Sequence, residues 1–477
     1  MNIILVSPTQ RFYSGFQSRL RGVGLWLSHQ LEDSKPKNSI ATLDGVRALA
    51  CLMVVSFHIS LLTARETHIW VPANPTHPLF SSFALAGASG VTLFFVLSGF
   101  LLFLPYAKSL LFDSTWPSAR LFYLRRIFRI VPAYYVCLFI IILFSQRQYL
   151  QRAHWNELGL FLTFFMDSTN KTNHQINGPF WTLAVEWQYY LLLPLLVGAI
   201  SLVVKRGSLK WRLWKLVTCL VGVVAWGLFS RYYGMYFVSH PSASFLVPRS
   251  DLNTVLFFIY GTSGKYLEDF AIGMLISLCY VYSRSASADH PFTATLRRFS
   301  LWLWGLGILG LVFMVLWHFD YTTYNSWPFL NGIARSQGWL NYFDWLNELG
   351  FAIGFGLCVM AILYGPVELQ RPFAWNPLRW IGLISYSMYM VHLPLIMIFM
   401  RNVGYHLQGW QPAIVFAMYW SWFLLVIIPF CFLMFVLVEK PWMRFGERFR
   451  QSSSKPKGEI PPPAAHPTST AEPALVE

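Results

Sequence analysis

With 477 residues, 55% of them hydrophobic and only 12% charged, the chain is excluded from the soluble globular proteins of ordinary composition. Its formal charge of +15 lies in short Lys/Arg clusters between apolar runs, which argues against a nucleic-acid partner and for charges that orient a polytopic membrane protein. The six cysteines, at 51, 137, 219, 279, 358 and 431, all fall in apolar runs without paired or metal-like spacing, so neither a structural disulfide nor a metal site is expected.

Residues 1–42 read as a basic cytoplasmic segment, with GFQSRLRGVGLWLSHQL (15–31) as a candidate interfacial helix and no signal-peptide core. Ten apolar runs long enough to span follow, at about 43–63, 82–105, 127–145, 180–204, 214–231, 255–283, 300–318, 348–365, 380–402 and 411–438. A shorter run, 158–165, reads as a surface or re-entrant piece. The expected fold class is therefore an all-α integral membrane protein of about ten transmembrane helices. Its domain spans 43–442, and 443–477, rich in Pro, Ser and Ala, reads as a disordered cytoplasmic tail. Connections assigned to one side carry 26 lysines and arginines against 8 on the other, which places both termini in the cytoplasm.

The first span, LDGVRALACLMVVSFHIS, holds two residues that lipid does not tolerate without a reason. Arg47 and His58 are eleven positions apart, about 1,100° of helix or three turns plus about 20°, so they share a face. The rise of about 1.5 Å per residue sets His58 about 16 Å deeper, near the middle of a hydrocarbon core about 30 Å thick. A terminal arginine can snorkel, but an imidazole at that depth points toward function.

In the second span, GVTLFFVLSGFLL, Ser98 and Gly99 suit a close helix contact, and Ser98 is also a candidate donor contact. Next comes RLFYLRRIFRIVPAYY, whose Arg125, Arg126 and Arg129 fall within about one turn. They suit phosphate recognition or, equally, a topology signal beside anionic lipid. Glu186, in NGPFWTLAVEWQYYLLLPLL, sits inside a span at a cost of roughly 2.5 to 3.5 kcal/mol and so needs a partner or water. Lys265 stands at helical spacing from Glu268 and Asp269, so a local ion pair with one of them is expected. Ser385, Tyr389 and His392 recur at i, i+4 and i+7 on one face, where Tyr389 and His392 suit a proton relay or an interhelical hydrogen bond. Pro394 just beyond can open the backbone.

Together these segments resemble acyltransferase family 3, membrane-bound O-acyltransferases of glycans and related acceptors. The resemblance runs from about Leu43 to Trp442. It rests on Arg47 and His58, FFVLSGFLL, RRIFRIVPAYY, WTLAVEWQYY, ISYSMYMVH and VEKPW in that order. It implies that His58 is the catalytic histidine, with Arg47 its essential companion and Glu186 in the same set. It also implies that Arg125, Arg126 and Arg129, with Ser98, bind the donor. The implied reaction moves an acyl group, expected to be acetyl, from cytoplasmic acyl-CoA (acetyl-CoA) to a hydroxyl of a carbohydrate or lipid-linked acceptor in the plasma (inner) membrane. Acyl-CoA is then a co-substrate and no cofactor is held permanently. Partners are membrane lipids, the donor and the acceptor, with no nucleic acid. The chemistry fits the residues, since acyl transfer to an alcohol needs a base and a group for the developing oxyanion. The alternative is a proton-coupled transporter or flippase using His58, Glu186 and His392, against which stands the lack of a two-fold repeat. A non-catalytic membrane scaffold would leave these ionisable residues without a use.

Overall fold

The computed structural model describes residues 22, 26, 30–31, 40–67, 78–244, 248–285, 291–323 and 340–454. Among them every regular element is a helix. The chain is an all-α integral membrane protein. Among the described residues eight helices are long and apolar enough to cross a membrane, and nine if a pair meeting at 75° counts as one span.

The first half comprises α1 (Ala41–Thr67), the short α2 (Pro78–Ala86), α3 (Gly90–Phe112), α4 (Ala119–Ser145), the short α5 (Trp155–Leu162) and α6 (Phe180–Val204). Then come α7 (Leu209–Ser239), α8 (Arg249–Ile259), α9 (Leu267–Ser285), the short α10 (Pro291–Arg298), α11 (Ser300–Thr323) and α12 (Leu340–Tyr364). The chain closes with α13 (Val367–Ala374), α14 (Asn376–Leu383), α15 (Ser385–Asn402) and one long apolar stretch, α16 (Pro412–Phe449). Two adjoining apolar clusters both draw on α1, α3 and α9.

Connections that carry the lysine and arginine clusters meet at one end of the bundle, called here the basic end. Arg212 bonds Asp113 across two of them at 2.6 Å, Lys205 lies 4.3 Å from the Trp116 ring, and Phe128 stacks on Trp442 and Phe449.

Four features differ from the sequence expectation. The span expected at 255–283 is broken into α8 and α9, because Gly261, Gly264 and Tyr266 all take positive φ, of 71°, 94° and 54°. The same break takes Lys265 off the helix. Its ammonium bonds Asp167, not Glu268 or Asp269, while Glu268 pairs with Arg231, whose Nε donates to it at 2.7 Å. Arg231, counted from sequence among the loop charges, is buried in this pair. The chain runs helical through Pro394, and the bend of 75° lies ten residues earlier, at Ile384. Past residue 442 the helix continues to Ser454, with Phe445 and Phe449 packed on Phe128, where a tail was expected; residues 455–477 lie outside the described residues. So do most of 15–31 and residues 324–339, between the expected spans 300–318 and 348–365.

Gly99 fulfils the close-contact reading of the second span. A Cβ there would overlap the Phe270 carbonyl of α9, so the absence of a side chain lets the two backbones meet. All six cysteines are free thiols.

Candidate active site

Two groups of polar residues stand along α1, one toward the basic end and one deeper. The first gathers around Arg47. Arg129, Glu186 and Tyr190 lie within electrostatic range of its guanidinium, and Arg126 lies 5.6 Å from the Tyr190 ring centroid. Ser98 Oγ donates to Glu186 at 2.6 Å, and the Tyr190 hydroxyl donates to the same carboxylate. A second carboxylate, Glu439 at the end of a π-helical turn in α16, accepts from Ser387 and faces both Arg47 and Arg129. The two carboxylates are thus satisfied by hydroxyls. Among the described residues none of Arg47, Arg126 and Arg129 closes a salt bridge, and the Arg126 Nε is buried without a hydrogen-bond partner, which suits an anionic or carbonyl ligand.

Arg125 is not part of this cluster. It is exposed on α4 while Arg126 and Arg129 are half-buried, because α6 and the end of α16 cover one side of α4 only.

The deeper group is a histidine pair. His392 Nδ1 lies 2.9 Å from the Met388 carbonyl, so in the neutral ring that nitrogen carries the proton and Nε2 is left as acceptor. His58 Nδ1 lies 2.9 Å from the Val54 carbonyl and 3.2 Å from that Nε2, facing two acceptors, so it too carries its proton. The bare nitrogen of His58 is therefore Nε2. Tyr389 closes the line between the groups. It lies within electrostatic range of Glu186, its ring contacts that of His392, and its hydroxyl accepts a hydrogen bond of 2.7 Å from Thr182.

His58 and Tyr389 line a cavity of about 370 Å³ at the end opposite the arginines. Trp181, Tyr266 and Phe57 give it aromatic walls, and Glu348 and His174 give it polar ones. Glu348 is fixed by hydrogen bonds from Thr92 at 2.6 Å and Asn347 at 3.3 Å. His174 sits edge-on to Trp181 in the connection before α6, where burial lowers its pKa below the ordinary imidazole value, opposed by a backbone hydrogen bond at Gly178. Aromatic faces beside a few fixed polar groups suit a polar ring compound such as a sugar.

Structure thus brings Arg47, Arg126, Arg129, Glu186 and Ser98 together, and His58, Tyr389 and His392 together, and leaves Arg125 outside. Sequence reasoning missed Glu439, Ser387, Tyr190, Glu348 and Trp181. Glu439 and Glu348 lie at the edges of apolar runs, and the test applied to Glu186, an acid in a span, would have found them. Trp181 carried no signal of its own among 21 tryptophans.

A family model described as an acyltransferase domain matches residues 40–439. Among curated proteins, the chain is 22% identical to the peptidoglycan O-acetyltransferase OatA of Listeria monocytogenes over 376 residues, covering 75% of this chain and 49% of that protein. It is 24% identical to the putative peptidoglycan O-acetyltransferase YrhL of Bacillus subtilis, with 75% and 49% covered. It is 21% identical to the O-acetyltransferase OatA of Staphylococcus aureus, with 81% and 55% covered. The chain therefore spans about half the length of these relatives. No solved structure matches it. With the family model covering all of the elements that build both polar groups, the chain belongs to acyltransferase family 3.

Proposed function

We propose that this membrane acyltransferase moves an acetyl group from acetyl-CoA, entering at the basic end, to a hydroxyl of a carbohydrate acceptor held in the cavity beside His58. Peptidoglycan, named for two of the relatives, is the acceptor to try first. The observation that carries the reading is the histidine pair: His392 and Val54 hold the Nδ1 proton of His58, and Nε2 is left as a base on a cavity with sugar-like walls.

In this mechanism His58 Nε2 takes the acceptor's hydroxyl proton as the oxygen attacks the thioester carbonyl. Tyr389 lines the same cavity, and its hydroxyl, 2.7 Å from that of Thr182, donates to the oxyanion that forms. Collapse breaks the C–S bond, and the departing thiolate takes the proton back from His58. Atoms and charge balance, and the net products are ester and free thiol. Arg47 lies about 16 Å from His58 along α1, too far to touch the same carbonyl. Its part, with Arg126 and Arg129, is to hold the donor.

The test is release of free CoA by the purified full-length protein in lipid nanodiscs given acetyl-CoA and soluble glycan fragments. His58→Ala should lower kcat by about 10²- to 10⁴-fold, the usual worth of a general base. His392→Leu should lower kcat with KM for both substrates little changed, and His392→Gln, which restores an acceptor, should recover part of the loss. Wild-type protein that carries acceptor across vesicles and releases no CoA above the His58→Ala level would make the chain a transporter.

A further inference from the structure

A second opening lies at the basic end, away from the arginine cluster just described. It is a cleft of about 1560 Å³ bounded by the start of α1, α3, the end of α9, α10 with the first residues of α11, and the end of α12. Four cationic side chains line it: Lys108, Arg284, Arg297 and Arg298. Among its described lining residues no carboxylate offsets them. All four are exposed, so a ligand arriving from the basic side meets them directly.

The four charges come from three elements, α3, α9 and α10, and one of them is fixed in place. Arg284 donates from Nε to the Tyr280 hydroxyl at 3.3 Å and lies 5.5 Å from that ring's centroid, while Tyr280 itself is edge-packed on the buried Phe100. Ser300 and Leu301 bring the first turn of α11 to the same cleft, so the positive end of a long helix faces it as well. The floor and one wall are apolar, from Leu104, Ile362 and Leu363.

A concave site with four cations, an aromatic ring and an apolar floor suits a ligand carrying several phosphates on a flat ring system. The half-buried arginines near Glu186 do not replace it, since they gather around Arg47 and Glu186 and do not line the cleft. α3 connects the two places: Ser98 faces Glu186, whereas Lys108, ten residues on and about 80° round the helix, faces the cleft.

We propose that this cleft binds the phosphate-bearing nucleotide end of the acyl-CoA donor, leaving the acyl arm to run inward past Arg47. The inference rests on the reading of acyl-CoA as donor. The shared chemistry is phosphate recognition, and the other source of phosphate at this place is an anionic lipid headgroup. The cleft's volume and its walling by six elements favour the soluble nucleotide.

The experiment compares two donors in nanodiscs: acetyl-CoA, and S-acetyl-N-acetylcysteamine, which carries the thioester without nucleotide or phosphate. In the variant Arg284→Ala/Arg297→Ala/Arg298→Ala, KM for acetyl-CoA should rise at least tenfold, as for the loss of charge-assisted contacts. Turnover of the truncated donor should stay within twofold of wild type, which also shows that the variant is folded. Free 3′,5′-ADP should inhibit the wild type competitively against acetyl-CoA and inhibit the variant at least tenfold less. An unchanged KM for acetyl-CoA in the variant overturns the cleft while leaving the donor reading intact; a wild type that releases no CoA overturns the donor reading itself. If the KM effect disappears when the nanodiscs contain only neutral lipid, the cleft is a lipid headgroup site and the proposal fails.

Discussion

Of three neighbouring arginines with indistinguishable side chains, only Arg126 and Arg129 belong to the site. Their difference from Arg125 is a matter of what covers α4, with α6 on one side and lipid or solvent on the other. Arg126→Ala and Arg129→Ala should each raise the KM for the acyl donor by about 10- to 100-fold, the scale of a charged hydrogen bond, while Arg125→Ala should leave it within twofold. Equal effects at all three positions would return them to a topological role. The sequence could place the trio within one helical turn but could not say which member faces inward, because their order carries no information about the neighbour. His58 and His392 were each legible as imidazoles in apolar runs. Their pairing was not, since 334 positions separate them. Lys265 was misread for a different reason: i,i+3 spacing presumes a continuous helix, and the positive φ at Gly264 and Tyr266 removes it.

Among the elements, α9 carries the greatest electrostatic burden. Its first turn holds Glu268 and Asp269, both buried, and α7 supplies Arg231 to the first of them. Taking one partner away leaves a buried charge, so Glu268→Gln should destabilise the protein by about 3–5 kcal/mol, read as a lower Tm in detergent. Replacing both, as Arg231→Met with Glu268→Leu, should cost less than the single change, since no charge is then left unpaired. A double variant worse than Glu268→Gln would show that the pair does more than neutralise itself. The run 255–283 looked like an ordinary span because hydrophobicity averages over a break. What the average hides is two glycines with φ that other residues rarely adopt, and a composition scan is blind to φ. The long apolar helix α6 was readable at both ends, whereas α4 starts eight residues before the expected 127, because its basic first turns lower the hydropathy that marked the run.

For the whole molecule the distribution of charge makes the strongest commitment. All the connections with dense lysine and arginine meet at one end, as the bonds between Arg212 and Asp113 and between Phe128 and α16 require. On the positive-inside rule we propose that this end is cytoplasmic. A reporter that works only outside the cytoplasm, fused after Ser454, should therefore be silent, and activity there would invert the assignment. On the proposed function donor and acceptor then approach from opposite faces of the membrane, with α1 and α15 each carrying residues of both polar groups.

The chain before α6 is tied across the bundle to the break before α9. The backbone carbonyl of Asp167 accepts from both the amide and the hydroxyl of Thr262 at 3.0 Å, and its carboxylate holds the Lys265 ammonium. Two stretches nearly a hundred residues apart therefore form a single wall of the cavity beside His58, one giving His174 and the other Tyr266. For anyone who would retune acceptor choice by exchanging loops between family members, this makes residues 163–179 and 260–266 one exchangeable unit. A graft of the first stretch alone would inherit a carboxylate cut to fit a lysine that its new host does not hold in the same place.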